Sequence, residues 1–322
     1  MKLVMRLAVL ALIASLFAPI AAIAQAYPSK PVRVIVVFPP GGSNDVVARI
    51  VFQKMNDLMG QQFVIDNRGG AAGTIGSAVV AQSPPDGYTI MVQSTTHVAN
   101  AHMYRKLPYD TLGDFIGITP LARQVGMLAV PRSLPVKNVK ELIALAKRRP
   151  GELIYGSAGS GSYVHLAGAL FMNLSGTKMI HVPFKGGGPA GIALISGETQ
   201  VMIATIGSLF THIKANRVRA LGVTSDKRTT QFPDVPAIAE YVPGYDFTAW
   251  VGSFVPKGTP GPVVDALNAA LKKALEDPGV AGKLSAQTLD PMHMTPEQFA
   301  ARLKSDYDKY GKLIKEVGAK ID

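Results

Sequence analysis

The sequence contains no cysteine and only one tryptophan. Without cysteine the chain can form neither a disulfide nor a thiolate nucleophile, so its stability has to come from a hydrophobic core. Charged residues make up 17% of the 322 residues and hydrophobic residues 48%, a balance far from that of disordered chains. A chain of this length can bury one or two substantial cores. These features predict a soluble, two-lobed α/β protein.

Acidic residues are also scarce, with 22 Asp and Glu against 33 Lys and Arg and a formal net charge of +11. Nucleic-acid binding is the first function that such an excess suggests, but the basic residues are dispersed along the chain. The densest group, Lys147-Arg148-Arg149, ends an amphipathic segment, where cations interact favourably with a helix dipole. We therefore expect no nucleic-acid partner and a surface that weakly attracts small anions.

The N-terminal segment differs in composition from the rest of the chain. Lys2 and Arg6 precede an apolar run over residues 7–20, and small residues follow up to Ala26. These three zones predict a signal peptide over residues 1–26, cleaved after Ala26 or two residues earlier, and therefore an exported protein. A membrane anchor is the alternative, but the apolar run is short for a bilayer. Cleavage would lower the net charge from +11 to +9, because two basic residues and no acidic residue are removed.

One stretch near the mature N-terminus carries most of the functional argument. The β-branched and aromatic run Val34–Phe38 predicts a buried strand, which two prolines and two glycines end abruptly. Helical periodicity begins at Val46. The loop between them places glycines and short polar side chains at a helix N-terminus, where unpaired backbone N–H groups favour an anion. The residues of this loop are Gly41, Gly42, Ser43, Asn44 and Asp45.

The order of strand, small polar loop and helix recurs along the chain. Predicted strands cover residues 63–66, 88–93, 126–130, 153–155, 179–184, 201–206 and 220–224, and predicted helices cover residues 46–58, 75–82, 139–147 and 163–174. Strands that alternate with helices at this spacing predict mainly parallel sheets covered on both faces. Ligands of such sheets bind beyond the carboxyl ends of the strands, where these loops gather.

The sequence motifs that identify enzymes and cofactor-binding proteins are absent or incomplete in this chain. Gly186, Gly188 and Gly191 form G-x-G-x-x-G, but the next strand lacks the acidic residue that would bind a ribose, so a glycine turn is the better interpretation. The six histidines lack metal-ligand spacing, and no nucleophile-elbow sequence occurs. We expect neither a metal nor a cofactor. A spatial set of Ser157, His165 and an aspartate stays open as the basis of a secreted hydrolase.

Several motifs occur in an order that is similar to one protein family. They are Phe38-Pro39-Pro40-Gly41-Gly42-Ser43-Asn44-Asp45, Pro85-Asp86-Gly87-Tyr88, Tyr155-Gly156-Ser157-Ala158-Gly159-Ser160-Gly161-Ser162 with His165-Leu166, His181-Val182-Pro183-Phe184-Lys185-Gly186-Gly187-Gly188-Pro189-Ala190, Leu221-Gly222-Val223-Thr224-Ser225, Phe232-Pro233-Asp234-Val235-Pro236 and Gly258-Thr259-Pro260. Together they resemble the Bug receptors, the substrate-binding components of tripartite tricarboxylate transporters. The resemblance covers essentially the whole mature chain.

This resemblance implies a type II periplasmic-binding-protein fold, in which two α/β lobes close over one ligand. It implies that residues 27–124 and 245–322 form the first lobe and residues 125–244 the second, with crossings near residues 121–130 and 247–255. It further implies a monomeric periplasmic protein that binds a small organic acid, performs no chemistry and delivers the ligand to membrane transporter subunits. A module that senses an anion and signals to a membrane kinase is a further alternative.

The resemblance also places the ligand carboxylate between two facing loops. We expect Ser43, Ser157 and Ser162 to bind the carboxylate or its waters, because small hydroxyls do not crowd it. Asp45 is expected to accept backbone N–H bonds and fix its loop, since two anions in a dry cleft repel each other. His165 either lines the cleft or is a core histidine, and Trp250 is expected in core or hinge packing. The full set of predicted ligand-binding residues is Phe38, Gly41, Gly42, Ser43, Asn44, Asp45, Ser94, Ser157, Ala158, Gly159, Ser160, Gly161, Ser162, His165 and Thr205.

One departure from the family bears on the choice of ligand. Many relatives carry an acidic residue at the end of the strand that here contains Ala204. A buried α-ammonium needs a compensating acceptor, because desolvating an unpaired cation costs several kcal/mol. Asp45, Asp86 or backbone carbonyls stay open as other acceptors. We therefore expect a preference for dicarboxylates or aromatic acids over amino acids.

Overall fold

The computed structural model describes residues 27–184, 187–229 and 231–318. The predicted signal peptide and the Lys185-Gly186 part of the glycine motif lie outside these residues. The strands are β1 (Val32–Val36), β2 (Phe63–Asn67), β3 (Thr89–Ser94), β4 (Phe115–Gln124), β5 (Gly126–Pro131), β6 (Ile154–Ser157), β7 (Ile180–Pro183), β8 (Met202–Thr205), β9 (Val218–Val223), β10 (Ala249–Pro256) and β11 (Leu289–Pro291). The α-helices are α1 (Ser43–Met59), α2 (Thr74–Ala81), α3 (Thr96–Met103), α4 (Val139–Arg148), α5 (Tyr163–Ser175), α6 (Gly187–Ser196), α7 (Ile206–Lys214), α8 (Gly261–Glu276), α9 (Pro278–Ala286) and α10 (Pro296–Val317).

The largest sheet has six strands in the order β11-β4-β10-β3-β1-β2. β1 pairs in parallel with both β2 and β3. Along β1, Val34 and Val36 pack into one hydrophobic cluster and Ile35 into another, so both faces of the strand are buried. This explains why β1 is an almost unbroken run of valine and isoleucine rather than an alternation of apolar and polar residues.

The remaining strands form a three-stranded sheet, β8-β5-β9, and a parallel pair, β6-β7. An isolated parallel bridge between Tyr155 and Val201 joins β6 to the segment just before β8. β4 and β5 are separated by Val125 alone, so they carry the chain from the six-stranded sheet into the three-stranded one. The chain returns at Phe247, whose N–H donates to Thr224, just before β10 rejoins the large sheet. The lobe boundaries at residues 124/125 and 244/245 stay a prediction.

The α/β class is confirmed, but antiparallel pairings are more numerous than the alternating pattern indicated. β10 runs antiparallel to β3 and β4, and β5 runs antiparallel to β8 and β9. The reason is that parallel pairing follows from helical crossovers between strands, whereas β4, β5 and β10 are continuous connections between sheets. The sequence pattern did not predict α3, β11 or the C-terminal helices α8 to α10.

Four helices begin on the same side of the molecule as the carboxyl ends of the strands that precede them. α1 follows β1 and α5 follows β6 after short loops, whereas α3 follows β3 after Thr95 alone and α7 follows β8 directly. Within the described ranges, no helix is long and apolar enough to cross a membrane. The fold therefore directs four helix N-termini toward the space between the sheets.

Candidate functional site

A cavity of about 780 Å³ lies where these four helices begin. Its walls come from the loops after β1 and β6, from the β3–α3 and β8–α7 junctions, from α3 itself, from the end of the loop before α2 and from the end of β4. The lining residues are Phe38, Pro39, Pro40, Gly41, Gly42, Ser43, Asn44, Ala72, Ser94, Thr96, Asn100, Met103, Gln124, Ala158, Ser160, Gly161, Ser162, Tyr163 and Thr205. The structure thus brings most of the predicted ligand-binding residues together; Asp45, Ser157, Gly159 and His165 are not among the lining residues.

The loop after β1 is fixed from below by Asp45, which is 3% exposed. Its carboxylate accepts hydrogen bonds from the Gly41 N–H at 2.9 Å, from Asn67 Nδ2 at 3.0 Å and from Arg49 Nε at 3.0 Å. Burial by itself raises the pKa of the Asp45 carboxyl, but the hydrogen bonds from Arg49, Gly41 and Asn67 outweigh it and leave the pKa below its usual value. Asp45 therefore takes the loop-fixing position predicted for it, and both carboxylate oxygens are already engaged.

The same loop is tied to the strand that crosses between the sheets. Ser43 Oγ accepts a hydrogen bond of 2.8 Å from Gln124 Nε2, and Gln124 is the last residue of β4. Gly41, which precedes the helix, has φ of +83°, a left-handed conformation that favours glycine. Gly42 offers no side chain to cap α1, so the first N–H groups of the helix stay directed into the cavity.

The loop after β6 faces the loop after β1 across the cavity. Gly159 and Gly161 adopt φ of +118° and +76°, which lets the backbone turn sharply between β6 and α5. Ser162 caps α5 by accepting a 3.2 Å hydrogen bond from the His165 N–H. Ser160, Gly161 and Ser162 line the cavity, so this loop presents hydroxyl groups and a helix N-terminus to a ligand.

The structure places Ser157 differently from the sequence prediction. Ser157 is fully buried, and its Oγ lies 2.6 Å from His181 Nε2 and 3.2 Å from the Gly159 carbonyl oxygen. It is the last residue of β6, two positions after Tyr155, so both side chains lie on the same face of the strand. Both contact His181, on the side away from the cavity. Ser157 therefore supports the loop instead of lining it.

His165 likewise stands behind the loop. It is 8% exposed, and its Nδ1 accepts a 2.9 Å hydrogen bond from the Gly161 N–H. Burial, with a smaller contribution in the same direction from the neighbouring His181, lowers the pKa of His165 to about 4. The ring is therefore neutral at pH 7. Of the two placements left open from the sequence, lining the cleft or lying in the core, the structure shows a buried ring that does not line the cavity.

The β3–α3 and β8–α7 junctions add hydroxyl groups and helix N-termini. Ser94 and Thr96 hydroxyls lie 2.9 Å apart at the start of α3. Thr205 precedes α7, and its Oγ1 lies 2.8 Å from Ser208 Oγ. Four helices thus direct their positive dipole ends toward one space, which is an arrangement that binds anions through backbone N–H groups.

The cavity has no fixed charge of its own. Of the described residues that line it, none carries an ionised side chain at pH 7. Asn44 and Asn100 line the cavity, and Asn44 Nδ2 is buried without a hydrogen-bond partner among the described residues. The described ranges contain no group of three or more residues that could hold a metal ion.

Several lining residues were missed by the sequence analysis. Asn100 and Met103 come from α3, Tyr163 begins α5 and Gln124 ends β4. Ala72 was recognisable only as part of a second glycine-rich loop, where its φ is +53°. These residues come from separate segments, so their meeting depends on the tertiary fold.

Two other positions discussed from the sequence, Ala204 and Trp250, are not among the residues that line the cavity. Ala204 is fully buried within β8 and pairs with Met127, so it does not line the cavity. Trp250 is 1% exposed, and its Nε1 donates a 2.8 Å hydrogen bond to Asp306. Trp250 therefore belongs to the core, as the sequence analysis expected.

Comparison with known proteins agrees with this geometry. The family model described as "Tripartite tricarboxylate transporter family receptor" matches residues 47–319. A relative from Pseudomonas sp. (strain P51), named for its position in the tcbD-tcbE intergenic region, is 41% identical over 294 residues, covering 91% of this chain and 88% of the relative.

Two solved structures are similar over nearly their whole length. Rpa4515 of R. palustris, solved with adipate, has 33% identity and a TM-score of 0.80, covering 92% of this chain and 100% of that one. The periplasmic binding protein BugD has 30% identity and a TM-score of 0.76, covering 91% and 99%. These likenesses confirm the predicted periplasmic-binding-protein fold and the resemblance to Bug receptors. The chain therefore belongs to the receptor family of the tripartite tricarboxylate transporters.

Proposed function

We propose that this receptor is a periplasmic protein that captures a small organic carboxylate in the cavity and delivers it unchanged to membrane transporter subunits. The observation that carries the proposal is the convergence of four helix N-termini on a cavity lined by uncharged residues. Those N-termini supply N–H donors and partial positive charge for a carboxylate. The relative solved with adipate supports the same ligand class.

The cavity favours carboxylates without an amine. A buried ammonium would need an anionic or strong neutral acceptor, and leaving it unpaired costs several kcal/mol. Asp45 has both oxygens engaged, Asp86 is exposed in a turn outside the cavity, and Ala204 lies in the core. We expect aliphatic dicarboxylates or aromatic acids to bind, because about 780 Å³ accommodates a six-carbon chain or a ring.

The hydrolase alternative loses its nucleophile in this arrangement. Ser157 is fully buried and does not line the cavity, and its histidine neighbour is His181 rather than the predicted His165. A substrate in the cavity would meet Ser160 and Ser162 instead, and the Ser162 hydroxyl already accepts the His165 N–H as a helix cap. Binding without conversion is the function that this geometry supports.

A thermal-shift screen over organic acids, followed by calorimetry, tests the proposal. A ligand that binds only the native state stabilises it by roughly 2.7 kcal/mol at a hundred times Kd. The first pair to compare is adipate and 2-aminoadipate, which differ by one amine. For this pair, and for the acid that binds best in the screen, we expect the acid without the amine to bind more tightly than its amino analogue. Tight binding of the amino acid alone, or recovery of a converted ligand, would contradict the proposal.

Variants locate the site independently of the ligand's identity. Ser43→Leu and Ser160→Leu place a bulky side chain into the cavity and should abolish the ligand-induced rise in melting temperature. Ser133→Leu, at an exposed position outside the cavity, is the matched control and should leave the rise unchanged. Normal binding by both cavity variants would show that another surface holds the ligand.

Location and assembly are tested separately. Export is proposed from the charge, apolar and small-residue zones of residues 1–26 and from the periplasmic relative BugD. Intact-mass measurement of exported protein should give an N-terminus at Tyr27 or Gln25, and light scattering should give the mass of a monomer. A full-length product in the membrane fraction would contradict the proposed processing.

A further inference from the structure

Two histidine rings are stacked behind the loop that faces the cavity from β6. His165 is in the first turn of α5 and His181 is on β7; their ring centroids are 4.1 Å apart and their planes differ by 11°. Tyr155 of β6 stacks on His181 at 4.8 Å. The three rings form a wall between the loop and an open cleft of about 720 Å³ on the other side.

His165 can hold the loop only in its neutral form. Its Nδ1 accepts the Gly161 N–H at 2.9 Å, which fixes the proton of the neutral ring on Nε2. An imidazolium carries N–H groups on both nitrogens and has no acceptor to offer. Protonation of His165 would therefore set two N–H groups against each other and release Gly161, a residue that lines the cavity.

His181 tolerates a proton better. Its Nε2 lies 2.6 Å from Ser157 Oγ, and a hydroxyl can either donate to a neutral ring or accept from a charged one. When Ser157 accepts from His181, its own proton can point to the Gly159 carbonyl oxygen, 3.2 Å away. The link from His181 through Ser157 to the loop thus survives protonation, unlike the link from His165.

We propose that His165 is a positioning residue whose neutral Nδ1 holds Gly161 in the ligand-binding conformation, and that the stacked His181 takes the first proton on acidification and keeps His165 neutral. Two like charges within about 4 to 6 Å oppose each other, so a charged His181 resists a second proton on its neighbour. The effect on ligand affinity rests on the proposed function, whereas the effect on the loop does not.

The groups around the rings are consistent with this order of protonation. The open cleft gives solvent access to both histidines, and its other titratable residues are Tyr155 on β6, Lys178 before β7 and Glu316 near the end of α10. Burial lowers the pKa of both histidines, and the repulsion between the two rings adds to the lowering at His165. Lys178 adds a cation to this cleft and Glu316 an anion that already accepts from Asn173.

Nuclear magnetic resonance of labelled, ligand-free protein between pH 7.5 and 3.5 tests the loop directly. We expect the Gly161 amide signal to titrate with the His165 ring and not with the His181 ring. His165→Asn should abolish this titration, because an Asn oxygen replaces Nδ1 as an acceptor at every pH. His181→Gln should move the Gly161 midpoint to higher pH, within the range where the fold is stable, and His212→Gln on α7 should not move it.

Affinity for adipate, or for the acid that binds best in the screen, tests the functional part. His165→Leu should raise Kd by about tenfold at pH 7.5, as expected for one lost hydrogen bond, while His165→Asn should stay within about threefold of the wild type. Below the His165 midpoint the wild-type Kd should rise by up to about tenfold per pH unit. A Gly161 signal that is constant while the His165 ring titrates, or that still titrates in His165→Asn, would overturn the proposal. Absence of binding by any carboxylate would instead contradict the proposed function and leave the resonance result standing.

Discussion

Replacement of Asp45 by alanine tests the hydrogen bonds that hold the loop after β1. The carboxylate is nearly inaccessible to solvent and accepts from the Gly41 N–H, from Asn67 and from Arg49. Alanine removes all three acceptor contacts and leaves the Gly41 N–H and the Asn67 amide without this partner. We expect both a less stable protein and a weaker carboxylate site, because Gly41 lines the cavity.

The contacts of Asp45 set the size of the effect. A hydrogen bond to a charged group contributes about 1.5–3 kcal/mol when it is shielded from solvent. The Arg49 side chain is 53% exposed, so its pairing with Asp45 contributes only about 0–1 kcal/mol. Two shielded bonds that are partly replaced by water give an expected loss of about 3 kcal/mol. Since the folded-state pKa of Asp45 is lowered, this stability is present above the unfolded pKa and is lost as the pH falls through the folded value.

Urea denaturation at pH 7, followed by circular dichroism, measures the loss. Asp308→Ala is the matched control, because Asp308 also pairs with a cation four residues away, Lys304, but both side chains are more than half exposed. The control should change the free energy of unfolding by about 0.5 kcal/mol or less. If Asp45→Ala is no less stable than Asp308→Ala, the carboxylate does not fix the loop as argued.

Three further changes test other parts of the fold. Trp250→Phe leaves the buried Asp306 without its indole donor and should lower the free energy of unfolding by about 1–3 kcal/mol in urea; an unchanged midpoint would contradict this. Gly126→Ala places a Cβ 2.5 Å from the Tyr163 hydroxyl and should lower the melting temperature; an unchanged melting temperature would contradict this steric argument. Burial lowers the pKa of His97 to about 4, so below pH 6.5 the unfolded state binds a proton that the folded state does not. The free energy of unfolding therefore decreases as the pH is lowered from 7 to 5. His97→Gln should remove about 2 kcal/mol of the loss between pH 7 and 5, and an equal loss in both proteins would refute it.

The loops of the site were predictable because their signals are local. Prolines end the strand before Gly41, and glycines allow the turn at Gly159 and Gly161 whatever packs around them. The direction of Ser157 was not predictable to the same degree. The predicted strand ended at residue 155, which put Ser157 in the loop, whereas β6 continues to Ser157 and strand alternation places its side chain on the same face as Tyr155.

Residues contributed by distant segments could not be predicted from local pattern. The segment of α3 combines small and polar residues, and its helical state depends on the burial of His97 and Asn100 rather than on an amphipathic pattern. Gln124 reaches Ser43 only because β4 crosses beside the loop after β1. The sequence fixes neither approach, since each depends on the pairing of β10 with β3 and β4.

None of the described residues that line the cavity is ionised. Long-range attraction of an anion to the protein and its retention in the cavity would therefore have different physical origins. The excess of basic residues over the whole chain is dispersed on the surface, where it raises the rate at which anions arrive and is screened by salt. In the proposed site a carboxylate would meet partial charges at helix N-termini, which depend on the loops being in place. A buried arginine would hold the ligand in a bidentate pair whether or not both loops were positioned. Asp45 and His165 each hydrogen-bond one of the two facing loops. On the proposed function, displacement of either loop would remove donors from the ligand, so release would require no charge to be neutralised.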